Sequence, residues 1–309
     1  MGHTLGVDWL ANDGERLARM NQLLMEGRTM AEVAAIMSAE FCEHYSKDSI
    51  NQAKTRWASA RHFIERDSTI KIYETLRIPQ CDCMVACDIH SPYHSELWVN
   101  RFLAIADKFK IKKAVLVGDT FDMDFAKSHY DDEHKTLDEE IEQNKSVMTA
   151  LDFFETVYAL RGNHEKRPGW MSDSKVQARH ILGLFGQRVW EEKFQYSTDD
   201  HASMGDDWMF VHPRSYSQIS ASVAVGLSEK FQRNVINAHG HFVAFRYNRS
   251  AKHIAIDLGG LFDRAKTKYI HESTTTHPVW NPGFGMIIDN HIHLFHEKTD
   301  FNFWLRGWV

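Results

Sequence analysis

The stretch Met84-Val85-Ala86-Cys87-Asp88-Ile89-His90 sets the frame of this chain: four apolar residues are followed at once by a carboxylate and an imidazole. A short apolar run without polar alternation reads as a strand buried on both faces, as in the parallel sheets of α/β proteins. In an extended strand end, Asp88 and His90 fall on the same side. The pattern recurs. Ala114-Val115-Leu116-Val117 precedes Gly118-Asp119-Thr120-Phe121-Asp122, and Val157-Tyr158-Ala159-Leu160 precedes Gly162-Asn163-His164-Glu165. Helical patterns over 95–109 and 137–154 separate these strands. Strand, helix, strand, with polar residues at the carboxyl ends, predicts an α/β layered domain. The second half reads as strand-rich, over 207–211, 234–238, 252–258, 284–288 and 291–296.

Two further motifs follow in order, His212 and then His239-Gly240-His241. The whole series offers carboxylate oxygen, amide oxygen and imidazole nitrogen. That donor set suits Mn²⁺, Fe, Zn²⁺ or Ni²⁺ better than Ca²⁺ or Cu, with Mn²⁺ the expected ion. It is large enough for two divalent ions, an arrangement that activates water and clamps a phosphate. Asp119 follows a buried strand and a glycine, where one carboxylate can bridge two cations and offset their repulsion. The remaining histidines read as surface or hydrogen-bonded core residues.

Composition sets the limits. With 309 residues, 43% hydrophobic and 25% charged, the chain is an ordinary globular one, long enough for two domains of unequal size. A net charge of −6 excludes a general polycation, so any contact with nucleic acid is local. No apolar stretch approaches the roughly 20 residues of a membrane span, and residues 1–9 lack a signal-peptide pattern. The expected location is the cytoplasm, or the host cytoplasm if the chain is phage-encoded. Cys81, Cys83 and Cys87 cluster about a buried strand, and with Cys42 they read as reduced thiols. The acidic run 128–145 reads as a solvated helix face with its leading loop.

Residues 1–77 carry none of this chemistry and are predicted to be a small all-α domain, with the rest of the chain, 78–309, as the catalytic domain. Leu17, Met20, Leu23 and Leu24 recur at helical spacing before Gly27. Thr29 with Glu32 forms a capping-box pattern ahead of Met30, Val33, Ala34, Ile36 and Met37. Ser46 or Ser49 opens a third helix, with Ile50, Ala53 and Trp57 inward and Asn51, Gln52, Lys54, Thr55, Arg56 and Arg61 outward. The three are helix-turn-helix-like, and the outward side chains are types that reach phosphates and base edges. DNA or RNA is thus an expected partner of residues 1–77. The alternative is a helical appendage that packs on the catalytic domain or forms a homo-oligomer. Residues 67–80 read as the connector.

From about Met84 to Glu297 the chain resembles the calcineurin-like metallophosphoesterase superfamily. The resemblance implies a four-layer αββα sandwich with a dinuclear metal site at its edge. It makes Asp88, His90 and His241 ligands of one metal, Asn163, His212 and His239 ligands of the other, and Asp119 the bridge. His164 would stabilise the transition state or protonate the leaving oxygen, with Asp122 orienting it. Arg167 is the expected partner of phosphate oxygens. The string Leu160-Arg161-Gly162-Asn163-His164-Glu165 is similar to that of protein serine/threonine phosphatases. However, Asp122-Met123-Asp124 and Ser91-Pro92-Tyr93-His94 depart from them and are closer to phage and bacterial phosphoesterases. Ala238 stands where glycine is usual, and Pro213 follows His212.

The expected function is hydrolysis of a phosphate ester, most simply a phosphodiesterase or nuclease using a metal-bound hydroxide. A phosphomonoesterase for nucleotides or phosphoproteins is the alternative within the class. A DNA-binding regulator with a structural or degenerate metal site is the alternative outside it.

Overall fold

A computed structural model describes residues 14–51, 53, 76–127, 135–266 and 280–306. The chain divides into two compact units, Met1–Tyr73 and Glu74–Val309.

In the first unit, α1 (Gly14–Met25) ends at Gly27, which takes the left-handed φ of 81° that glycine adopts without strain. The capping box at α2 (Met30–Phe41) is present: Glu32 N donates to Thr29 Oγ1, and Thr29 N donates to Glu32 Oε2. Ser46 opens α3, helical at 47–51 and 53, by exchanging backbone-to-hydroxyl bonds with Ser49. Met20, Leu23, Val33, Ala34, Met37, Tyr45, Ile50 and Ala53 form the core of this unit. Trp57 and most of the outward face expected to meet nucleic acid, from Gln52 to Arg61, lie outside the described residues.

The second unit holds two six-stranded mixed sheets. One runs β12-β11-β2-β3-β4-β5 and the other β1-β6-β7-β8-β10-β9. In the first, β2 (Cys83–Ala86), β3 (Lys113–Leu116), β4 (Thr156–Ala159) and β5 (Phe194–Tyr196) are parallel, and β11 (Gly283–Ile288) with β12 (His291–His296) closes one side antiparallel. The second contains β1 (Leu76–Ile78), β6 (His201–Met204), β7 (Trp208–Val211), β8 (Asn234–Asn237), β9 (Val243–Tyr247) and β10 (Ile254–Leu258). There β7, β8 and β10 are parallel to one another.

Alternation along the strands builds the layers. Cys83, Val85, Val115 and Tyr158 point from the first sheet toward Ala202, Trp208, Phe210, Ile236 and Ile256 of the second. The intervening Met84, Ala86, Ala114, Leu116, Val157 and Ala159 point the other way. They meet α4 (Glu96–Lys108), α5 (Leu137–Leu151) and α7 (Ala178–Phe185) through Phe102, Met148 and Phe185. The outer face of the second sheet is covered by α9 (Ser222–Phe231), through Leu227 and Phe231 on Met209 and Val235. The order is helices, sheet, sheet, helix. Each fully buried aromatic or large aliphatic side chain contributes about 1.5–3 kcal/mol.

Part of the segment read as a connector is strand: β1 pairs in parallel with β6. Three residues carry no period to read, and this pairing is made only in the folded sheet. Shorter elements were not foreseen either: α6 (Arg167–Met171), α7, α8 (Gln187–Lys193), α9 and α10 (Phe301–Arg306). Among the described residues no helix is long and apolar enough to cross a membrane.

Candidate metal centre

All five motifs begin just past the carboxyl end of a strand: Asp88 and His90 after β2, Asp119 and Asp122 after β3, Asn163 and His164 after β4, His212 after β7, His239 and His241 after β8. The strand ends of both sheets therefore deliver their polar residues to one edge, as expected for open α/β sheets. The backbone turns sharply to do so. Asp88, His90, Asp119, His239 and His241 have φ of 48°, 49°, 49°, 69° and 57°. Left-handed backbone is uncommon outside glycine but tolerated by Asp, Asn and His, and it concentrates at functional sites.

The first group is Asp88, His90 and His241, all buried. His241 Nε2 lies 3.0 Å from Asp88 Oδ1 and 3.3 Å from His90 Nε2, and His90 Nε2 is 3.7 Å from Asp88 Oδ1. The other nitrogen of His90 is 3.0 Å from Asp122 Oδ1. A carboxylate only accepts, so His90 Nδ1 carries the hydrogen and Nε2 presents its lone pair. Asp88 Oδ2 accepts from His239 N at 3.0 Å, which ties the first motif to the last. His241 Nδ1 is buried without a hydrogen-bond partner.

The second group is Asp119, His212 and His239. His212 Nδ1 is 2.9 Å from Val117 O, so its hydrogen is fixed there. His212 Nε2 then faces Asn163 Oδ1 at 3.0 Å and Asp119 Oδ2 at 3.3 Å. In both groups, atoms that carry lone pairs converge on each other. A proton relieves part of that repulsion, and a divalent ion relieves all of it. This donor set fits metal ions, with nitrogen and oxygen donors in the proportions that suit Mn²⁺, Fe or Zn²⁺.

The electrostatics agree. Burial opposes the charge of His90, but Asp122, Asp88 and Asp119 override it and push the imidazole up to about 10. Burial likewise opposes His212, and Asp119 and Asp88 push it up to about 9. Burial and then the charge of His212 push His239 down to about 4. Against the cost of burial, His241, His90 and His212 hold Asp88 well below the carboxylate range, and His164, His212 and His90 do the same for Asp119.

Asp122, His164 and Arg167 form a third cluster beside these. Asp122 Oδ1 is 2.7 Å from His164 Nδ1. Asp122 Oδ2 is 3.3 Å from both Arg167 and Lys127. Arg167 also donates to Asp122 O at 2.5 Å and lies 3.1 Å from His164 Nε2. His90, Asp122 and His164 are close enough to hold an ion. However, His90 faces Asp122 through Nδ1, and the second oxygen of Asp122 is occupied by two cations. That suits a positioning residue better than a ligand. His164 is nearly buried, and burial lowers its basicity.

Sequence reasoning assigns Glu165 no role. Its buried carboxylate accepts from Asp119 N at 3.0 Å, Thr120 N at 2.7 Å, Phe121 N at 3.1 Å and Gly162 N at 2.8 Å. It staples the loop that bears Asp119 to the loop that bears Asn163. Burial and the charge of Asp119 push it up to about 7, against the pull of these N–H groups. Glycine is required beside it, since a Cβ on Gly162 would lie 2.1 Å from Asp119 Oδ1. Phe262 was also not singled out. It packs against the His90 and His241 rings at 5.8 and 4.7 Å.

No family model matches the chain, and no curated protein matches it. Among solved structures it is similar to Yfce, a phosphoesterase from E. coli. Sequence identity is 12%, the match covers 69% of this chain and 91% of that one, and the TM-score is 0.35. It is also similar to the nuclease MPE from Pseudomonas putida, at 10% identity, covering 69% of this chain and 87% of that one, with a TM-score of 0.29.

Proposed function

We propose that the chain is a metal-dependent phosphoester hydrolase whose favoured substrate is a phosphodiester of nucleic acid. The observation that carries this reading is the convergence of two lone-pair clusters at one edge, linked where Asp88 accepts from His239 N. In this reading Asp88, His90 and His241 hold one ion, Asn163, His212 and His239 hold the other, and Asp119 serves both. Bound ions would polarise the phosphoryl oxygens and lower the pKa of water.

The chain's own residues supply the rest. Arg167 presents a guanidinium beside His164 and pairs with phosphoryl oxygens. Asp122 stands against His164 Nδ1, and Nε2, once Arg167 turns to the phosphate, handles the proton of the departing oxygen. Glu165 keeps Asp119 and Asn163 in register. Residues 1–77 are read as the part that engages DNA or RNA.

The test is Mn²⁺-dependent hydrolysis of bis-p-nitrophenyl phosphate beside p-nitrophenyl phosphate, with Asp119→Ala as the control. Faster cleavage of the diester supports the reading. A clear preference for the monoester replaces it with a phosphomonoesterase. No hydrolysis of either ester, from protein shown by elemental analysis to hold metal, leaves a structural ion site.

A further inference from the structure

The two ligand groups differ in what borders them. Phe262 and Trp280 lie against His241, at ring-centroid distances of 4.7 and 4.4 Å. They wall the Asp88 side with apolar rings. His239 and Asn163, in contrast, are partly exposed, so the second group is the one open to solvent. Tyr216 stands beside it. Its ring meets the His239 ring edge-on, with centroids 6.1 Å apart and planes at 74°. Yet Tyr216 is 66% exposed and contributes to no core cluster of this unit. A large ring held against a candidate ligand, with most of its surface in water, gains little from packing.

The loop that carries Tyr216 also carries a cation. Arg214 is exposed on the same loop, four residues or fewer from His212. Lys166 follows His164 and Glu165 in chain order and lies close enough to feel Arg161, Arg214 and Asp119. Burial lowers its pKa first, Asp200 opposes that, and the two arginines lower it further. An exposed aromatic ring next to cations that track a backbone is the arrangement by which proteins hold single-stranded nucleic acid and nucleotides. The base stacks, and the cations take the neighbouring phosphate.

We propose that Tyr216 is the stacking platform for a nucleobase of the substrate, with Arg214 and Lys166 holding the adjoining phosphate. Tyr216 thereby sets a preference for nucleoside-bearing esters over simple alkyl esters. The proposal rests on the phosphodiesterase reading above for its catalytic arm.

The experiment compares two diesters that share a p-nitrophenolate leaving group, one bearing thymidine and the other methyl on the remaining ester oxygen. For the Mn²⁺-loaded wild type, the thymidine ester should have the higher kcat/KM, mainly through KM. Tyr216→Ala should lower the ratio of the two kcat/KM values roughly ten-fold, the scale of one lost base stack. Tyr216→Phe should keep the ratio, because stacking needs the ring and not the hydroxyl. Equal losses on both esters, or an unchanged ratio in Tyr216→Ala, overturn the proposal. A second readout is equilibrium binding of thymidine 5′-monophosphate against ribose 5-phosphate, by calorimetry, to wild type and Tyr216→Ala. Tighter binding of the nucleotide, lost in Tyr216→Ala, supports Tyr216 even if neither diester is cleaved and the catalytic reading falls. Equal binding of the two ligands by wild type overturns it.

Discussion

Asp88, His90 and His241 are buried and touch chiefly one another, whereas Asp119 and His212 are tied to the backbone of neighbouring loops. In the first group the side chains are held mainly by one another, with Asp122 behind His90 and a single backbone bond, from His239 N to Asp88. In the second, Val117 O orients His212 and the Glu165 carboxylate clamps the Asp119 and Gly162 loops. A site held by charge needs its ions to be at rest. A site held by backbone hydrogen bonds keeps its shape without them. Asp119 and His212 are therefore the sturdier pair, and His239, held by ring contacts, stands outside it.

Four experiments bear on this contrast. The largest effect is expected from Asp119→Ala, since Asp119 is proposed to serve both ions. Diester turnover should fall roughly 100- to 1000-fold, the scale seen when a key electrostatic group leaves a catalytic site. The variant should still melt cooperatively, and unchanged turnover would remove the second group from the chemistry. Next is Gly162→Ala. The added Cβ would lie 2.1 Å from Asp119 Oδ1 and 2.3 Å from Asp119 N, so the loops must separate. Urea denaturation should show a loss of about 1–3 kcal/mol. Gly183→Ala, whose Cβ would approach nothing nearer than 3.5 Å, should show none.

Glu165→Gln tests the clamp alone. An amide has one accepting oxygen where the carboxylate has two, and its NH₂ would face N–H donors. Mn²⁺ titration should show roughly ten-fold weaker binding, as for other residues that support ligands. Unchanged binding would show that the clamp does not position Asp119. The smallest effect is the pH dependence of chelated protein. His90 and His212 have raised values, about 10 and about 9. The stability from their charges is therefore complete below pH 6.5 and lost as pH rises through about 9 and then about 10. Thermal melts in chelator should drop by a few degrees over that interval, on the order of 1 kcal/mol. Mn²⁺ should abolish the drop, since metal replaces those protons.

Much of this was legible in the sequence because the chemistry sits where period and residue type change together. An apolar run such as Met84–Cys87, buried on both faces, ends in residues that cannot stay in a core unpaired, so strand and motif are visible in one reading. The capping box at Thr29 is local and could be read in the same way. What was not legible depends on distant partners. The pairing of β1 with β6 joins Leu76 to Ala202, and no window on either shows it. Glu165 carried a signal, an acid inside a ligand motif with no assigned task. Three of its four bonds nevertheless reach across to another strand end. Arg167 was expected to await phosphate, and it is drawn toward Asp122 and His164, a contact set by how α6 leaves the loop.

The left-handed backbone at Asp88, His90, Asp119, His239 and His241 has a consequence for laboratory evolution. Glycine would relax each of these turns, and at His239 it would remove a side chain held mainly by ring contacts. A selection for heat resistance carried out in chelator should therefore drift toward glycine at the ligands, enriching first at position 239. It would return robust proteins that had traded away their ions.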